Sequence, residues 1–343
     1  RTATSNFGVG RREGHDASAF YGRFVAPEIT ADDHVAPPKA RDEIWHGDAR
    51  DMASVGDIAD GSVALVVTSP PYFAGKAYEE ALGQGGIPAD YLEYLGMLRD
   101  VCAECVRKLE PGGRIAINVA NLGRKPYRSL SSDVIRILEE LGLLLRGEII
   151  WQKGRGAGGS CAWGSFQRPG NPVLRDVTER IVVASKGRFD RAVDARARAR
   201  DGLPSLGSMT VDDFLEATLD VWELPPESAR RVNHPAPFPV ELPQRLIELY
   251  TYAGDLVLDP FMGAGSTAVA AVRTGRHFVG FDTDPAYIEG ALERVATERA
   301  HGAEPAVLVP PTKQRWDGTE SVADLVTGGA RATTVAARLL TLA

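Results

Sequence analysis

The chain has 343 residues, 44% of them hydrophobic, with 39 Lys+Arg against 46 Asp+Glu and a formal net charge of −7. That length suits one large domain with insertions or two modest ones, and the composition excludes wholesale disorder and collagen-like repeats. No apolar run approaches the ~20 residues of a spanning helix, three cysteines cannot build a disulfide framework, and the average charge argues against a nucleic-acid coat or a polybasic membrane binder. The expectation is a cytoplasmic protein with no membrane partner. The chain starts at Arg1 rather than Met, which fits processing or trimming, and it lacks the charged-then-apolar pattern of a secretory signal.

Residues 1–43 are polar, Gly- and Pro-containing and aperiodic, and read as an arm. From Ile44 short apolar strands alternate with helices. Ile44-Trp45 opens the pattern, Val63–Val67 is a buried strand, and Tyr91–Leu109 is an amphipathic helix stopped by Pro-Gly-Gly. A strand at Ile115–Val119, a helix at Asp133–Leu141 and a strand at Gly147–Trp151 follow. Residues 152–233 break this rhythm: they are rich in Gly, Arg and Pro and hold one clear strand, Arg180–Ala184. The rhythm returns with a helix at Pro239–Tyr250, a strand at Leu256–Leu258, a helix at Thr267–Arg273, a strand at Phe278–Phe281 and a helix at Pro285–Arg299. Residues 301–343 form a tail with an amphipathic stretch at Val335–Leu342. This order predicts an α/β domain around a mixed, mostly parallel sheet. It divides the chain into an arm (1–43), a first half (44–151), an insert (152–233), a second half (234–300) and the tail.

The charge is unevenly spread. Residues 151–200 carry eleven Lys and Arg against four acids, a local +7 that leaves −14 for the remainder. A block of one sign commonly marks a partner surface, although an Arg-Ala-Arg-Ala-Arg run also suits a solvated helix face.

Two loops carry the chemical signals. Thr68-Ser69-Pro70-Pro71-Tyr72 directly follows a buried strand. Its two prolines stiffen the backbone and remove two amide donors, so Ser69 and the Pro70 carbonyl are presented at the carboxyl edge of the sheet, where open α/β folds bind ligands. In Leu258-Asp259-Pro-Phe-Met-Gly-Ala-Gly-Ser-Thr267, a strand ends in a carboxylate and a small-residue turn opens a helix. Such a turn lets a ligand approach the backbone and the free amides of the helix start. The next strand ends in Asp282, placed to accept from ribose hydroxyls. The literal G-x-G-x-x-G at Gly154–Gly159 leads into Ser-Cys-Ala-Trp-Gly rather than an apolar helix, and reads as a flexible loop. Cys102 and Cys105 sit one helical turn apart as core residues. With no second ligand pair, they do not predict a metal site.

Taken with His234-Pro-Ala-Pro-Phe-Pro239, these loops resemble the amino-group DNA methyltransferases. The loop order, with the Pro-Pro-Tyr loop before the cofactor turn and a basic insert between them, resembles the permuted β class of that family. The resemblance covers roughly residues 44–300. It implies a Rossmann-like methyltransferase fold with an inserted DNA-recognition subdomain, S-adenosyl-L-methionine as cofactor and double-stranded DNA as substrate. It admits a homodimer, though no segment specifies one, and a bacterial enzyme that works at the nucleoid, in a restriction-modification setting. Asp259, Pro260, Phe261, Gly263, Gly265, Ser266 and Thr267 would surround the methionine part of the cofactor, and Asp282 would take its ribose. Asp48, in Trp45-His-Gly-Asp48, would accept from the adenine amino group, and His234, Pro235 and Phe238 would close the pocket.

In the catalytic loop, Ser69 and Pro70 would accept the two protons of an exocyclic amino group, Pro71 would stiffen the turn, and Tyr72 would stack on a base flipped out of the duplex. Lys153, Arg155, Arg168, Arg175, Arg196 and Arg198 are the expected DNA contacts. Ser at the first loop position resembles cytosine-N4 enzymes, whereas Asp is typical of adenine-N6 enzymes, so cytosine N4 is the expected target and adenine N6 the alternative. Enzymes acting on RNA or protein amides usually carry Asn in this loop and place the cofactor turn first. A non-catalytic DNA-binding module with a vestigial cofactor site is the other alternative, against which both loops stand intact.

Overall fold

The computed structural model describes residues 29–71, 90–122, 127–154, 166–174, 176–227 and 238–301. The first half contains β1 (Glu43–His46), a 3-10 turn (Ala49–Asp51), α1 (Met52–Val55), β2 (Val63–Thr68), α2 (Tyr91–Lys108), β3 (Leu109–Val119), α3 (Leu130–Glu140) and β4 (Leu143–Gln152). Next come β5 (Thr178–Lys186), α4 (Ala195–Arg200), α5 (Val211–Ala217) and β6 (Val221–Glu223). The chain then forms α6 (Glu241–Tyr250), β7 (Leu256–Asp259), α7 (Ser266–Arg273), β8 (His277–Asp282) and α8 (Pro285–Ala300).

All eight strands join one sheet in the order β1-β8-β7-β2-β3-β5-β4-β6. Every neighbouring pair is parallel except those of β5, which runs antiparallel to β3 and β4. The mixed, mostly parallel α/β sheet expected from the sequence is therefore present. Period-2 alternation gives it two buried faces. Leu256, Leu258, Val279 and Phe281 point into one core with Tyr94, Leu98, Val101 and Cys105 of α2 and Val134 and Leu138 of α3. Val257 and Phe278 point the other way, into a core with Leu242 and Leu246 of α6, Val269 of α7 and Val295 of α8.

The helices start where local chemistry favours it. Asp90 caps α2 by accepting from the Glu93 amide (2.9 Å), and Arg107 and Lys108 close its last turn against the helix dipole. Pro111-Gly-Gly does not merely stop this helix, as the sequence suggested; it lies inside β3, which starts at Leu109 opposite Val63. Gly112 has φ +76°, and a Cβ there would lie 2.0 Å from the Asp190 carbonyl oxygen. The long strand passes this crossing only because the residue has no side chain.

Within residues 152–233 two described segments join the sheet: β5 is an interior strand and β6 an edge strand. Hydrophobic Ile181, Val182, Val183 and Ala184 bury β5 on both faces, which ties this strand to the two cores of the sheet. Because β5 runs backwards, it also divides the basic block. The 153–177 connection leaves β4 and enters β5 at the carboxyl edge, whereas residues 187–200 follow β5 at the amino edge.

Candidate active site

The sheet order reverses between β2 and β7, and at such a point the loops leaving neighbouring strands diverge and open a crevice at the carboxyl edge. The Ser69-Pro-Pro loop leaves β2 there and the Asp259–Gly265 turn leaves β7 beside it, as the sequence reading requires. Beneath them an apolar cavity is lined by Thr68, Pro70, Leu98, Cys102, Pro260 and Phe261, among others, so the two loops share one floor. Pro70 is buried, and Ser69 and Pro71 are partly exposed. Tyr72 lies outside the described residues.

Asp259 joins the two loops. Its Oδ1 accepts from the Thr68 hydroxyl (2.7 Å) and the Phe261 amide (3.1 Å), and its Oδ2 accepts from the Thr267 hydroxyl (2.6 Å). Asp259 is 1% exposed, and burial pushes its carboxyl up to about 7 despite these three donors. Asp259 and the fully buried Thr267 thus lie under the cofactor turn and do not line its surface, which corrects the expectation that they surround the ligand. Thr68 is the partner the sequence reading missed. Its signal was a hydroxyl ending an otherwise apolar strand, directly before Ser69.

The rest of the turn exposes backbone amides and a carboxylate. Gly263 and Gly265 have φ of +49° and +76°. A Cβ on Gly265 would lie 2.7 Å from the Ala291 Cβ, so this glycine also admits α8 against the turn. No side chain caps α7, which leaves first-turn amides available to an anionic group. Ser266 is buried and its hydroxyl donates to the Phe238 carbonyl (3.0 Å), which fastens the segment ending at Pro239 onto α7. His234 and Pro235 lie outside the described residues. Asp282 accepts the Gly263 amide (2.7 Å) on one oxygen and the Asp284 amide (2.9 Å) on the other. A carboxylate has about four acceptor positions, so Asp282 keeps capacity for a diol. Burial raises its pKa against the pull of those amides.

Asp48 ends up beside it. β1 pairs with β8 so that His46 lies opposite Asp282, and the Gly47 amide donates to the Asp282 carbonyl (2.9 Å). The Asp48 carboxylate caps the following turn through the Arg50 amide (2.8 Å) and accepts from Arg50 Nε (2.9 Å). Burial works against its ionisation, but these Arg50 bonds outweigh it and hold the carboxyl below its ordinary value. An uncapped helix start, a half-exposed Phe261 and two carboxylates at adjacent strand tips form a donor and acceptor set that fits S-adenosyl-L-methionine.

A family model described as a DNA methylase, the N6/N4 methyltransferase model, matches residues 63–293. The chain belongs to this family. It is 30% identical over 275 residues to the Type II methyltransferase M.MjaI of Methanocaldococcus jannaschii, covering 71% of this chain and 87% of that protein. It is 26% identical to the DNA adenine methyltransferase YhdJ of Escherichia coli K12, covering 79% and 88%. Among solved structures, the putative DNA modification methylase TTHA0409 of Thermus thermophilus, complexed with S-adenosyl-L-methionine, matches with 30% identity and a TM-score of 0.57, covering 76% of this chain and 94% of that one. The chain is therefore a DNA methyltransferase of the amino-group family, with S-adenosyl-L-methionine as its methyl donor.

The basic residues separate. Arg168 is exposed on the carboxyl-edge connection, and Arg155 and Arg175 of that connection lie outside the described residues. Lys153 is not a free cation: its ammonium donates to Glu179. Arg196 and Arg198 sit on α4 at the amino edge, away from the Ser69-Pro-Pro loop; Arg196 is exposed, whereas Arg198 is buried and so does not make the expected phosphate contact. Arg198 is 1% exposed and donates to Asp255 (2.6 Å) and Glu110 (3.4 Å). Arg191 bridges the same two carboxylates at 2.6 Å from Glu110 and 3.1 Å from Asp255. Two cations and two anions thus close a neutral square that binds the chain after β5 to the starts of β3 and β7. Cys102 and Cys105 are buried core thiols as expected, and burial pushes Cys102 up to about 12. Among the described residues, no helix is long and apolar enough to cross a membrane.

Proposed function

We propose that the chain is a site-specific DNA methyltransferase acting on the exocyclic N4 amino group of a cytosine flipped out of the duplex. The observation that carries this reading is Ser69 at the tip of central strand β2, on a proline-stiffened loop fastened through Thr68 to the turn that would hold the methyl donor. S-adenosyl-L-methionine, when bound, supplies an electrophilic sulfonium methyl group.

An amino group on a base is a poor nucleophile because its lone pair is delocalised into the ring. Hydrogen bonds from its two protons to Ser69 Oγ and the Pro70 carbonyl favour a tetrahedral nitrogen, with the lone pair turned toward the cofactor turn. Tyr72 stacks on the extruded base. Asp282 holds the ribose, Asp48 the adenine amino group, and the glycine turn admits the methionine portion. Most of the acceleration then comes from holding two reactants in line with preplaced dipoles, and no covalent enzyme nucleophile is needed. Arg168 and its neighbours on the 153–177 connection contact phosphates on the same edge. Adenine N6 is the second reading, favoured by the similarity to an adenine methyltransferase, since Ser69 can accept from either amino group.

Incubation with labelled cofactor and mixed duplex DNA, followed by digestion to nucleosides, decides between them. Label in N4-methyldeoxycytidine is expected, and label in N6-methyldeoxyadenosine overturns the cytosine assignment. Ser69→Ala should abolish turnover while calorimetric affinity for the cofactor stays near wild type; a collapse of that affinity refutes the role given to the loop.

A further inference from the structure

The cofactor features occupy one half of the sheet's carboxyl edge, over β7, β8 and β1. On the other side of Ser69, the tips of β3, β5 and β4 carry a polar cluster to which the roles above give nothing beyond a general DNA contact by Lys153. Glu179 is 6% exposed, and its Oε2 accepts from Asn118 Nδ2 (2.6 Å). Its Oε1 accepts from the Lys153 ammonium, which also lies 4.8 Å from the centre of the Trp151 ring. The Trp151 indole is itself held by a hydrogen bond to the Leu224 carbonyl (2.9 Å).

Register and alternation put this cluster beside the catalytic serine. Thr68 pairs with Ile117, so Ser69 follows in line with Asn118. Val67, Ala116 and Ile181 all point into the core that contains Trp151. Ser69, Asn118 and Glu179 are each two residues from one of them toward the carboxyl edge, hence on the same face. Glu179 reaches back to Asn118 and draws the Lys153 ammonium over β5. That leaves it roughly two strand spacings, about 10 Å, from the line of β2. This gap accepts one base edge with a hydrogen bond at each end.

An ion pair that served only stability would be an expensive one. Burying Glu179 costs desolvation that an apolar pair would avoid. The Lys153 side chain, by contrast, keeps a quarter of its surface exposed. Its ammonium has three donors, of which Glu179 needs one. Beside the reacting amino group, a base presents a ring acceptor: N3 in cytosine, N1 in adenine.

We propose that Lys153, anchored by Glu179 and Trp151, is a target-base positioning residue that donates to the ring acceptor next to the amino group being methylated. Rotation of the extruded base about its glycosidic bond is thereby stopped, with the amino group at Ser69. This role rests on the base-methylating reading above. The side chain acts on the nucleic acid and leaves cofactor binding to the opposite half of the sheet.

The test uses the full chain, labelled cofactor and unmethylated genomic DNA. At saturating DNA and cofactor, Lys153→Met should lower turnover about 10- to 100-fold, the loss of one charged hydrogen bond. Cofactor affinity by calorimetry should stay at the wild-type value, while the melting midpoint falls because buried Glu179 loses its cation, so turnover is compared well below the variant's melting range. Lys153→Arg, which keeps a donor, should recover most of the turnover, a rescue that a packing role does not predict. Glu179→Gln, which loosens the anchor, should fall between wild type and Lys153→Met. Where Lys153→Met fails to fold, the double variant Lys153→Met/Glu179→Gln, which removes both charges and the Lys153 donor together, is read the same way. Turnover by a folded Lys153→Met, or by the folded double variant, within twofold of wild type overturns the role of Lys153 alone. Absence of base label with the wild-type protein overturns the methylating reading and this inference with it.

Discussion

Replacing Asp259 with Asn tests whether the carboxylate under the cofactor turn is held in the folded protein at a raised pKa. The native carboxyl stands near 7 against an ordinary 3.8, with burial as the leading cause. The folded state therefore keeps a proton between about pH 4 and 7 that the unfolded chain has released. Within that window the contribution of Asp259 to stability falls as pH rises, by about 1.4 kcal/mol per pH unit, and the loss reaches about 4 kcal/mol above pH 7. In Asp259→Asn the amide oxygen can still accept from Thr68 and the Phe261 amide, which both bond Oδ1 in the native protein. The new NH2 group faces Thr267, whose hydroxyl can accept in turn.

The variant therefore keeps most of the hydrogen bonding and loses the titration. Glu110, Asp282 and Glu248 are also raised by burial, whereas Asp48, Asp60 and Glu298 are lowered, so the wild-type profile alone mixes opposite signs. The difference between the two proteins isolates Asp259. Urea unfolding of both at pH 5, 6, 7 and 8, followed by tryptophan fluorescence, should show the variant gaining about 1.4 kcal/mol per pH unit on the wild type up to pH 7 and levelling off above it. A difference that stays flat from pH 5 to 8 refutes the raised pKa and the burial argument behind it.

Thr68→Val should destabilise by about 1.5–3 kcal/mol at pH 8, where the buried carboxylate loses a donor, and by less at pH 5, where it is protonated; equal losses at both values, read by urea midpoints, contradict the bond to Asp259. Arg198→Ala should cost about 3–5 kcal/mol in unfolding free energy, because it strips a partner from buried Asp255 and Glu110. Its affinity for duplex DNA and the salt dependence of that affinity should match wild type, and a reduced salt slope would return Arg198 to the DNA surface. Gly265→Ala should cost about 1–3 kcal/mol, since its Cβ would meet Ala291 and its φ is positive; an unchanged melting midpoint argues against close packing of α8 on the turn.

Much of this could be read from the residues before any coordinates. The alternation of Val63–Val67, Ile115–Val119, Leu256–Leu258 and Phe278–Phe281 with amphipathic segments specified the α/β layers, because burial on both faces demands apolar runs of that length. The two loops were legible for a similar local reason. A Pro-Pro pair and a Gly-x-Gly turn restrict or release the backbone by covalent structure, whatever surrounds them. Even so, the reading placed Asp259 and Thr267 on the surface of the turn. The sequence shows a carboxylate and a hydroxyl eight residues apart, but the Thr68 hydroxyl that turns both inward lies 191 residues from Asp259.

What the sequence determined by itself was the layered fold, the Ser69-Pro-Pro loop and the Asp259–Gly265 turn at strand ends, and their order along the chain. Each of these depends on side-chain period or backbone restriction within a few residues. The tertiary structure decided the direction of β5, and with it the fate of the basic block. Five of its eleven cations precede Ile181 and six follow Arg180, so one antiparallel strand sends the second group to the amino edge. There Arg191 and Arg198 are neutralised by Glu110 and Asp255. Local composition records charge, but only the fold specifies which carboxylates come within 4 Å of it. A cation so matched and buried is unavailable to a phosphate, whatever the sequence around it suggests.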